Sequence, residues 1–491
     1  MPGSLAAEEV RAAYERLYQG DSEGAYKQLR EIADHQPDNL AAAFGVLQAL
    51  DAQGLGDSAR QQEFESRSAA LISRAKIRYD KNKQDREAAL CLALTYGALA
   101  SYKFGQDKGV WGAARDAAKA KGYSEDAVRL EPGRGDAYFT LGLYNYYVDI
   151  APGFVKALSF ILFLPKGNRA EGLKQIERAA RDGELMGTAA SAMLVQIYGF
   201  LEGRPEEALR LAEELNRKYP ENPTYNFLLA RVQASPAFED YEAAEKTLRA
   251  IVARADQGHA HYKDASRYGA LSGLARAQQQ SWLIQEAIAT LTPTIEAGVQ
   301  QPDWVIPSFL LARGNYRALL NDPRAADDAR RVLSETKWKR WHDGAKRQLK
   351  WIDERQKSGE AVVYAELIPG NRLVAQHRWE EAVKFYDDAR QKRPDDWQVR
   401  YRFAYLEFAR GEIPQAGTLF NGIVYSNPGK MPNWLKANSI LWLARIHDLQ
   451  GKRQDAVLLY KRILNNFENE SAAGAARVGL LTPYRRSSKA G

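Results

Sequence analysis

The chain has 491 residues, too many for one compact core and normal for a repeat array or several domains. Its 45 % hydrophobic and 27 % charged residues exclude a disordered chain, and the single cysteine, Cys91, excludes an intramolecular disulfide or a cysteine-based zinc site. Lys plus Arg is 69 against 62 for Asp plus Glu, a net charge of +7 that suits an acidic partner or an anionic surface, although no long basic tract carries it. No run reaches the roughly 18 consecutive apolar residues that a membrane-spanning helix needs. The start, MPGSLAAEEV, has no basic region followed by an apolar one. No signal peptide is therefore read in this chain, and the expected compartment is the cytoplasm, or the periplasm where a signal has been removed.

Residues 1–7 read as a tail, and 8–134 as helices with glycine-rich breaks such as Gly54-Leu55-Gly56-Asp57. Ala25, Leu29, Ile32 and Pro37 form a pattern of small, large, apolar and Pro at fixed spacing. A small residue lets two helices approach closely, and a large one a turn later fills the gap between pairs. The Pro stops the helix, because it cannot donate the next backbone hydrogen bond. Glu87–Phe104 is a strongly apolar helix. Ala120, Ser124, Ala127 and Pro132 repeat the spacing, and Tyr138, Leu141 and Gly142 follow as an aromatic-x2-Leu-Gly element.

The frame then breaks. The small residue that should open the next helix is expected at 154, but the match is Gly172, followed by Ile176 and Ala179. The inserted stretch holds Ala151-Pro152-Gly153 and then an apolar run from Phe154 through Phe160 and Phe163 to Leu164. It is too short to cross a bilayer. Three readings stay open for it: a plug that caps or fills the fold, a partner-binding helix, or a lipid-facing element.

Residues 184–256 resume regular helix pairs, with Ala208, Ala212, Leu215 and Pro220, then Ala244, Leu248 and Ile251. Residues 258–357 keep helical spacing without the signature. There Trp338, Trp341, Ala345, Leu349 and Ile352 make a helical stripe flanked by Lys337, Arg340, Arg347 and Lys350. Such a stripe is core with a solvated face, or else a contact for an anionic membrane or nucleic acid. Lys357-Ser358-Gly359-Glu360 is the hinge candidate. The strictest repeat follows: Ala382, Tyr386, Ala389 and Pro394 recur 34 residues later as Ala416, Phe420, Ile423 and Pro428, and Ala456, Tyr460 and Ile463 fit again. Arg485-Arg486-Ser487-Ser488-Lys489 reads as a basic tail.

A 34-residue period in this form resembles the tetratricopeptide-repeat family. The resemblance implies an all-α, right-handed α-solenoid of helix pairs with one apolar insertion near 151–166. It divides the chain into an N-terminal array at 8–357, C-terminal repeats at 358–484 and a basic tail at 485–491. In that family the first helix of each pair lines a concave face, with its positions 2, 5, 9 and 12 pointing inward. These positions place Asp136, Phe139, Leu143 and Tyr146 in one unit and Phe227 and Arg231 in another. The C-terminal units add Asn371, Tyr401, Tyr405, Asn438 and Arg445. Aromatic, Arg and Asn groups suit an extended peptide or a helix. The Lys-and-Asn clamp that some members use for a C-terminal carboxylate is not apparent.

A narrower resemblance covers roughly 135–225. The apolar segment, then Gly167-Asn168-Arg169, then Gly172-Leu173, is similar to the middle of the tetratricopeptide-39 family and its bacterial relatives. There the stretch tends to read Gly-Asp-Arg, and here Asn168 replaces the acid. The resemblance implies a helical-repeat protein without known catalytic residues, whose bacterial members often carry export signals.

No catalytic motif competes with this reading. GIVYSNPGK at Gly422–Lys430 has Val424 where a phosphate loop needs Gly. His259 and His261 stand about 200° apart on a helix and cannot share a face. The expected function is a non-catalytic scaffold that holds a protein or peptide in its groove, without cofactor, metal or nucleic acid. The alternatives are a lipid-associated protein using 154–164, and an unrecognised enzyme.

Overall fold

The computed structural model describes residues 5–55, 58–105, 110–150, 166–300, 302–426 and 431–486. Among these, every regular element is an α-helix. The first are α1 Leu5–Gln19, α2 Ser22–His35, α3 Leu40–Ala52, α4 Ser58–Lys81, α5 Arg86–Gly105, α6 Val110–Leu130, α7 Ala137–Ile150 and α8 Arg169–Asp182. Then come α9 Gly187–Phe200, α10 Pro205–Lys218, α11 Pro223–Gln233, α12 Tyr241–Asp256, α13 Asp264–Gln280, α14 Ile284–Glu296, α15 Val305–Leu319 and α16 Ala325–Glu335. The last are α17 Lys339–Ser358, α18 Glu360–Ala375, α19 Trp379–Lys392, α20 Trp397–Ala409, α21 Ile413–Tyr425, α22 Asn433–Leu449, α23 Arg453–Asn466 and α24 Ala472–Leu481. No described helix is long and apolar enough to cross a membrane.

The chain forms two compact units, one of residues 1–195 with 210–225, the other of 196–209 with 226–491. The chain passes between them within α9 to α11. Unit 2 runs through the hinge candidate at 357–360, where Gly359 ends α17 at φ 76° and α18 starts at the next residue.

The repeating residues explain the pairing. Ala25, Ala208, Ala244, Ala382, Ala416 and Ala456 have no exposed surface, and Tyr386, Phe420 and Tyr460 behind them are equally buried. The break after each second helix also starts the next first helix. Asn39, two residues after Pro37, accepts the Ala42 amide at 3.0 Å. Asp396, two after Pro394, accepts those of Gln398 and Val399. Each cap satisfies amides that the helix start leaves bare.

In unit 1, α1 packs on α3, α3 on α5 and α5 on α7, besides each helix on its sequence neighbour. This is the contact pattern of stacked pairs. In unit 2 the alternate contacts run α13 to α15, α18 to α20, α20 to α22 and α22 to α24. The parity changes because α17 is an extra helix, and α15 packs on both α17 and α18. That helix carries the tryptophan stripe. Ala345 and Ile352 are buried, and Trp341 and Leu349 pack against the core around Phe309. Trp338 stands out at 56 % exposure. The stripe is therefore core, and Lys350 and Lys357 on its outer side pair with Glu354 and Asp353.

The apolar insertion, with Phe154, Phe160, Phe163 and Leu164, lies outside the described residues, and both its flanks are described. α8 packs on α7, so the chain resumes the same helix pair after it. The closest approach is between two glycines. A Cβ on Gly172 would stand 2.5 Å from the Tyr146 amide nitrogen and 2.7 Å from the Gly142 carbonyl oxygen. Asn168 caps α8 by accepting the Glu171 amide, and the Arg169 amide donates to Asp149 across the pair. Asn and Asp cap equally well, which accounts for Asn168 in place of the acid.

Gly172→Ala is expected to lower the urea midpoint, costing about 1–3 kcal/mol by overpacking a backbone contact. Gly422→Ala, on a helix face with nothing within 4 Å, should raise it by about 0.4–1 kcal/mol. Equal effects of the two would mean that α7 and α8 do not meet at these glycines.

Candidate ligand-binding face

The turns inside each pair have a shared requirement. Two residues before α2, α10, α21 and α23 stand Gly20, Gly203, Gly411 and Gly451, all with positive φ. The same position before α12, α14 and α19 is filled by Glu239 at φ 49°, Trp282 at φ 63° and His377 at φ 55°. A side chain in this conformation costs roughly 1–2 kcal/mol. Glycine would be the relaxed choice, so these turns hold their side chains at a cost.

Two of those side chains lie against first helices of unit 2. Trp282 takes the guanidinium of Arg402 over its ring, 4.7 Å from the centroid. The Glu239 carboxylate accepts a hydrogen bond from the Tyr405 hydroxyl at 3.3 Å. Glu239 reaches solvent, yet protein surrounds it on most sides. That enclosure raises its pKa above the ordinary glutamate value, against the opposing pull of Arg445 and the Tyr405 hydrogen bond. Burial likewise pushes the Tyr405 phenol well up, and the Glu239 charge adds to it.

Four arginines on first helices of unit 2 are unpaired. Arg231 on α11, Arg276 on α13, Arg402 on α20 and Arg445 on α22 make no hydrogen bond or ion pair among the described residues. Aromatic rings hold three of them instead. Arg231 lies 4.9 Å from the Phe200 ring, and Arg402 also borders Tyr364 at 5.6 Å and Tyr401 at 5.4 Å. Arg445 sits between Trp442 at 4.6 Å and Tyr484 at 4.7 Å. Burial lowers the Arg231 pKa, and the like charge of Arg276 adds to that. Arg355, 7 % exposed, shares the Tyr364 ring with Arg402, and its Nε and Nη2 have no partner among the described residues. Burial and the Arg402 charge lower its pKa.

Contrast marks this face out. Arg313, equally buried in unit 2, gives Nε and Nη2 to Asp328 at 3.0 and 2.7 Å, and Arg317 joins the same carboxylate. The cations around one groove of unit 1 are also paired. That groove, ≈ 320 Å³, has Phe44, Leu90 and Leu94 in its lining, and its rim holds Arg11 on Glu184 at 2.8 Å. Cys91 borders it, but burial pushes the thiol up to about 12, out of reach of thiolate chemistry at neutral pH.

The groove residues read from the sequence divide between wall and interior. Tyr405 and Arg445 come together through Trp442, whose ring is 5.2 Å from that of Tyr405. Arg231 is exposed. Tyr401 is 6 % exposed, and its hydroxyl accepts from Trp442 Nε1 at 3.1 Å. Tyr146 is fully buried, and Asn371 accepts the Tyr386 hydroxyl at 2.6 Å inside the core. Asp136 is also interior, accepting the amides of Leu185 and Met186. Phe139 and Phe227 pack on their units' cores, and Asn438 bonds the Trp434 carbonyl of its own helix. These seven are corrected from groove lining to packing, since they pack on or bond to neighbouring parts of the fold. Gly167, Asn168, Arg169 and Gly172 serve the α7–α8 junction described above, with Leu173 beside them on α8.

The sequence reading missed Glu239, Trp282, Arg276, Tyr364, Arg402 and Trp442. A usable signal existed for two of them, because the turn position that carries Gly elsewhere carries Glu and Trp here. Among the described residues no group of three His, Cys, Asp or Glu could hold a metal ion.

Comparison with known proteins agrees with the contact pattern. Two family models described as tetratricopeptide repeat match residues 202–260 and 373–439. The chain carries tetratricopeptide repeats over these residues; the narrower tetratricopeptide-39 resemblance has no such match. No curated protein sequence matches. Solved structures similar to it include the human IFIT1 dimer with PPP-AAAA, at 14 % identity, TM-score 0.41, and coverage of 81 % of this chain and 92 % of that one. A Parabacteroides merdae tetratricopeptide repeat protein has 17 % identity, TM-score 0.24, and coverage of 59 % and 98 %. Yeast Tom70 has 12 % identity, TM-score 0.31, and coverage of 94 % and 91 %.

The Glu239 carboxyl should titrate above the ordinary glutamate range in a carbon-13 NMR titration, and Arg445→Gln should raise it further by removing an attraction. A raised folded pKa means the ionised form is the less stable one. Stability should therefore fall as pH rises from the unfolded value of 4.5 through the folded one. Glu239→Gln should remove that part of the pH dependence, and a Glu239 titrating at or below 4.5 would contradict the enclosure described.

Proposed function

We propose that this protein is a non-catalytic scaffold whose unit 2 binds an extended acidic segment of a protein partner. The observation that carries the reading is the set of unpaired arginines, 231, 276, 402 and 445, on first helices of unit 2, three of them held on aromatic rings. Buried Arg313 shows the same chemistry satisfied internally, by Asp328. An arginine held flat on an aromatic ring keeps its donors in a fixed fork, ready for a carboxylate. Stacked helix pairs present such groups at regular intervals, which suits an extended chain.

A second reading has its own support. Arginine alternating with Trp and Tyr also fits phosphates and stacked bases of single-stranded nucleic acid. The carboxylate of Glu239 within the face favours the protein partner, because it shows that a carboxylate fits there. The expectation of no nucleic-acid partner rests on that argument and on its test.

The test is fluorescence anisotropy with a labelled peptide of alternating Glu and Leu, and separately with labelled oligouridylate. The peptide should bind, more weakly as salt rises, and Arg402→Gln with Arg445→Gln should reduce affinity at least about tenfold at an unchanged melting temperature. Tighter binding of oligouridylate, lost in the same variant, would establish the second reading instead. Binding of neither would refute both.

A further inference from the structure

The inner contact of Glu239 has a feature beyond the binding reading. Its turn position is occupied by Gly in four other pairs, so the fold itself does not need a side chain there. Glu239 nevertheless adopts φ 49° and directs its carboxylate at the Tyr405 hydroxyl. Tyr405, Trp442, Arg445 and Tyr484 make one continuous surface around it, with ring and guanidinium contacts of 4.6 to 5.2 Å. Arg445 forms no ion pair within 4 Å with Glu239 or with any other described residue. The carboxylate is thus close enough to be attracted and too loosely held to be neutralised. Its one hydrogen bond is long, and its backbone is strained.

A structural acid would show the opposite traits. Asp328 takes three guanidinium hydrogen bonds from Arg313 and Arg317 and is almost fully buried. Asp448 takes the Arg453 guanidinium, the Tyr460 hydroxyl and the Tyr484 amide. Glu239, exposed and singly bonded, is held far more weakly than these acids.

We propose that the Tyr405–Trp442–Arg445 surface is a carboxylate-recognition site, and that Glu239 is its internal occupant, displaced when an acidic side chain of the partner binds. This rests on the reading that unit 2 takes an acidic segment. Displacement exchanges one carboxylate for another, so the site stays matched in charge while the turn at 239 is freed. The partner's acid gains what Glu239 lacks, a free approach to the fork of Arg445. The internal contact therefore sets a threshold: a partner needs several acids along the face, or a high local concentration, to compete.

The experiment uses the full chain, with the labelled Glu-Leu peptide as probe. Glu239→Gln keeps the side-chain volume and the hydrogen bond but not the charge. Glu239→Gly removes the side chain and relaxes the backbone, so it should fold at least as well as the parent. Both should bind the peptide more tightly, on the order of tenfold, since the competent state no longer competes with an internal ligand. In an Arg445→Gln background the gain should vanish. A gain that persists there is a general field effect and overturns the proposal. Unchanged or weaker binding by both variants, with the parent still binding through Arg402 and Arg445, overturns the proposal but leaves the acidic-segment reading intact. No binding by parent or variants overturns both.

Discussion

The close approach of two helices at a small residue is the contact on which the rest of this structure depends. Each buried Ala at the start of a second helix lets the first helix lie against it, and the large residue one turn later fills the space toward the next pair. At Gly142 and Gly172 the two helices meet backbone to backbone. Because that contact fixes which side of each first helix is buried, it also fixes which side is left for the inner face. Arg231, Arg276, Arg402 and Arg445 lie on such sides, and none of them is used by the packing as an ion-pair partner. Repeated close contacts thereby leave unneutralised groups on the first helices of unit 2.

The strained turns connect scaffold and site. Left-handed backbone occurs in several of the described turns inside pairs, and glycine supplies it in the relaxed ones. In the α11–α12 and α13–α14 turns the chain accepts side chains there, and both side chains touch the arginine face: Trp282 on Arg402, Glu239 beside Tyr405 and Arg445. The C-terminal residues serve the same face. Tyr484 lies against Arg445 and Phe408, the Arg486 guanidinium donates to the Ala409 carbonyl, and residue 484 is pinned through its amide to Asp448.

Much of the fold was legible because the signals are local. The spacing of Ala382, Tyr386 and Pro394 reports a helix, its buried stripe and its end within thirteen residues, and the same pattern marked Gly172 as the return to frame after the insertion. The extra helix α17 was not legible, since a Trp-and-Ala stripe looks alike whether its helix opens a pair or stands between pairs. The site was legible only in part. Tyr405 and Arg445 follow from the repeat register, whereas Tyr401, Tyr146 and Asn371 share that register and are covered by neighbours. Which inner positions stay open depends on the bulk of residues on the adjacent helix, Trp442 above all, and on a turn 166 residues away from Tyr405 in the case of Glu239. Such contacts leave no periodic trace.

The most direct test of the central claim is nitrogen-15 NMR of the arginine side-chain Nε–H groups during titration with an acidic peptide. The account predicts that the signals of Arg231, Arg276, Arg402 and Arg445 shift together and saturate at one peptide concentration, while that of Arg313, already paired with Asp328, stays in place. Shifts confined to arginines outside this set, or a uniform drift of all arginine signals without saturation, would contradict it.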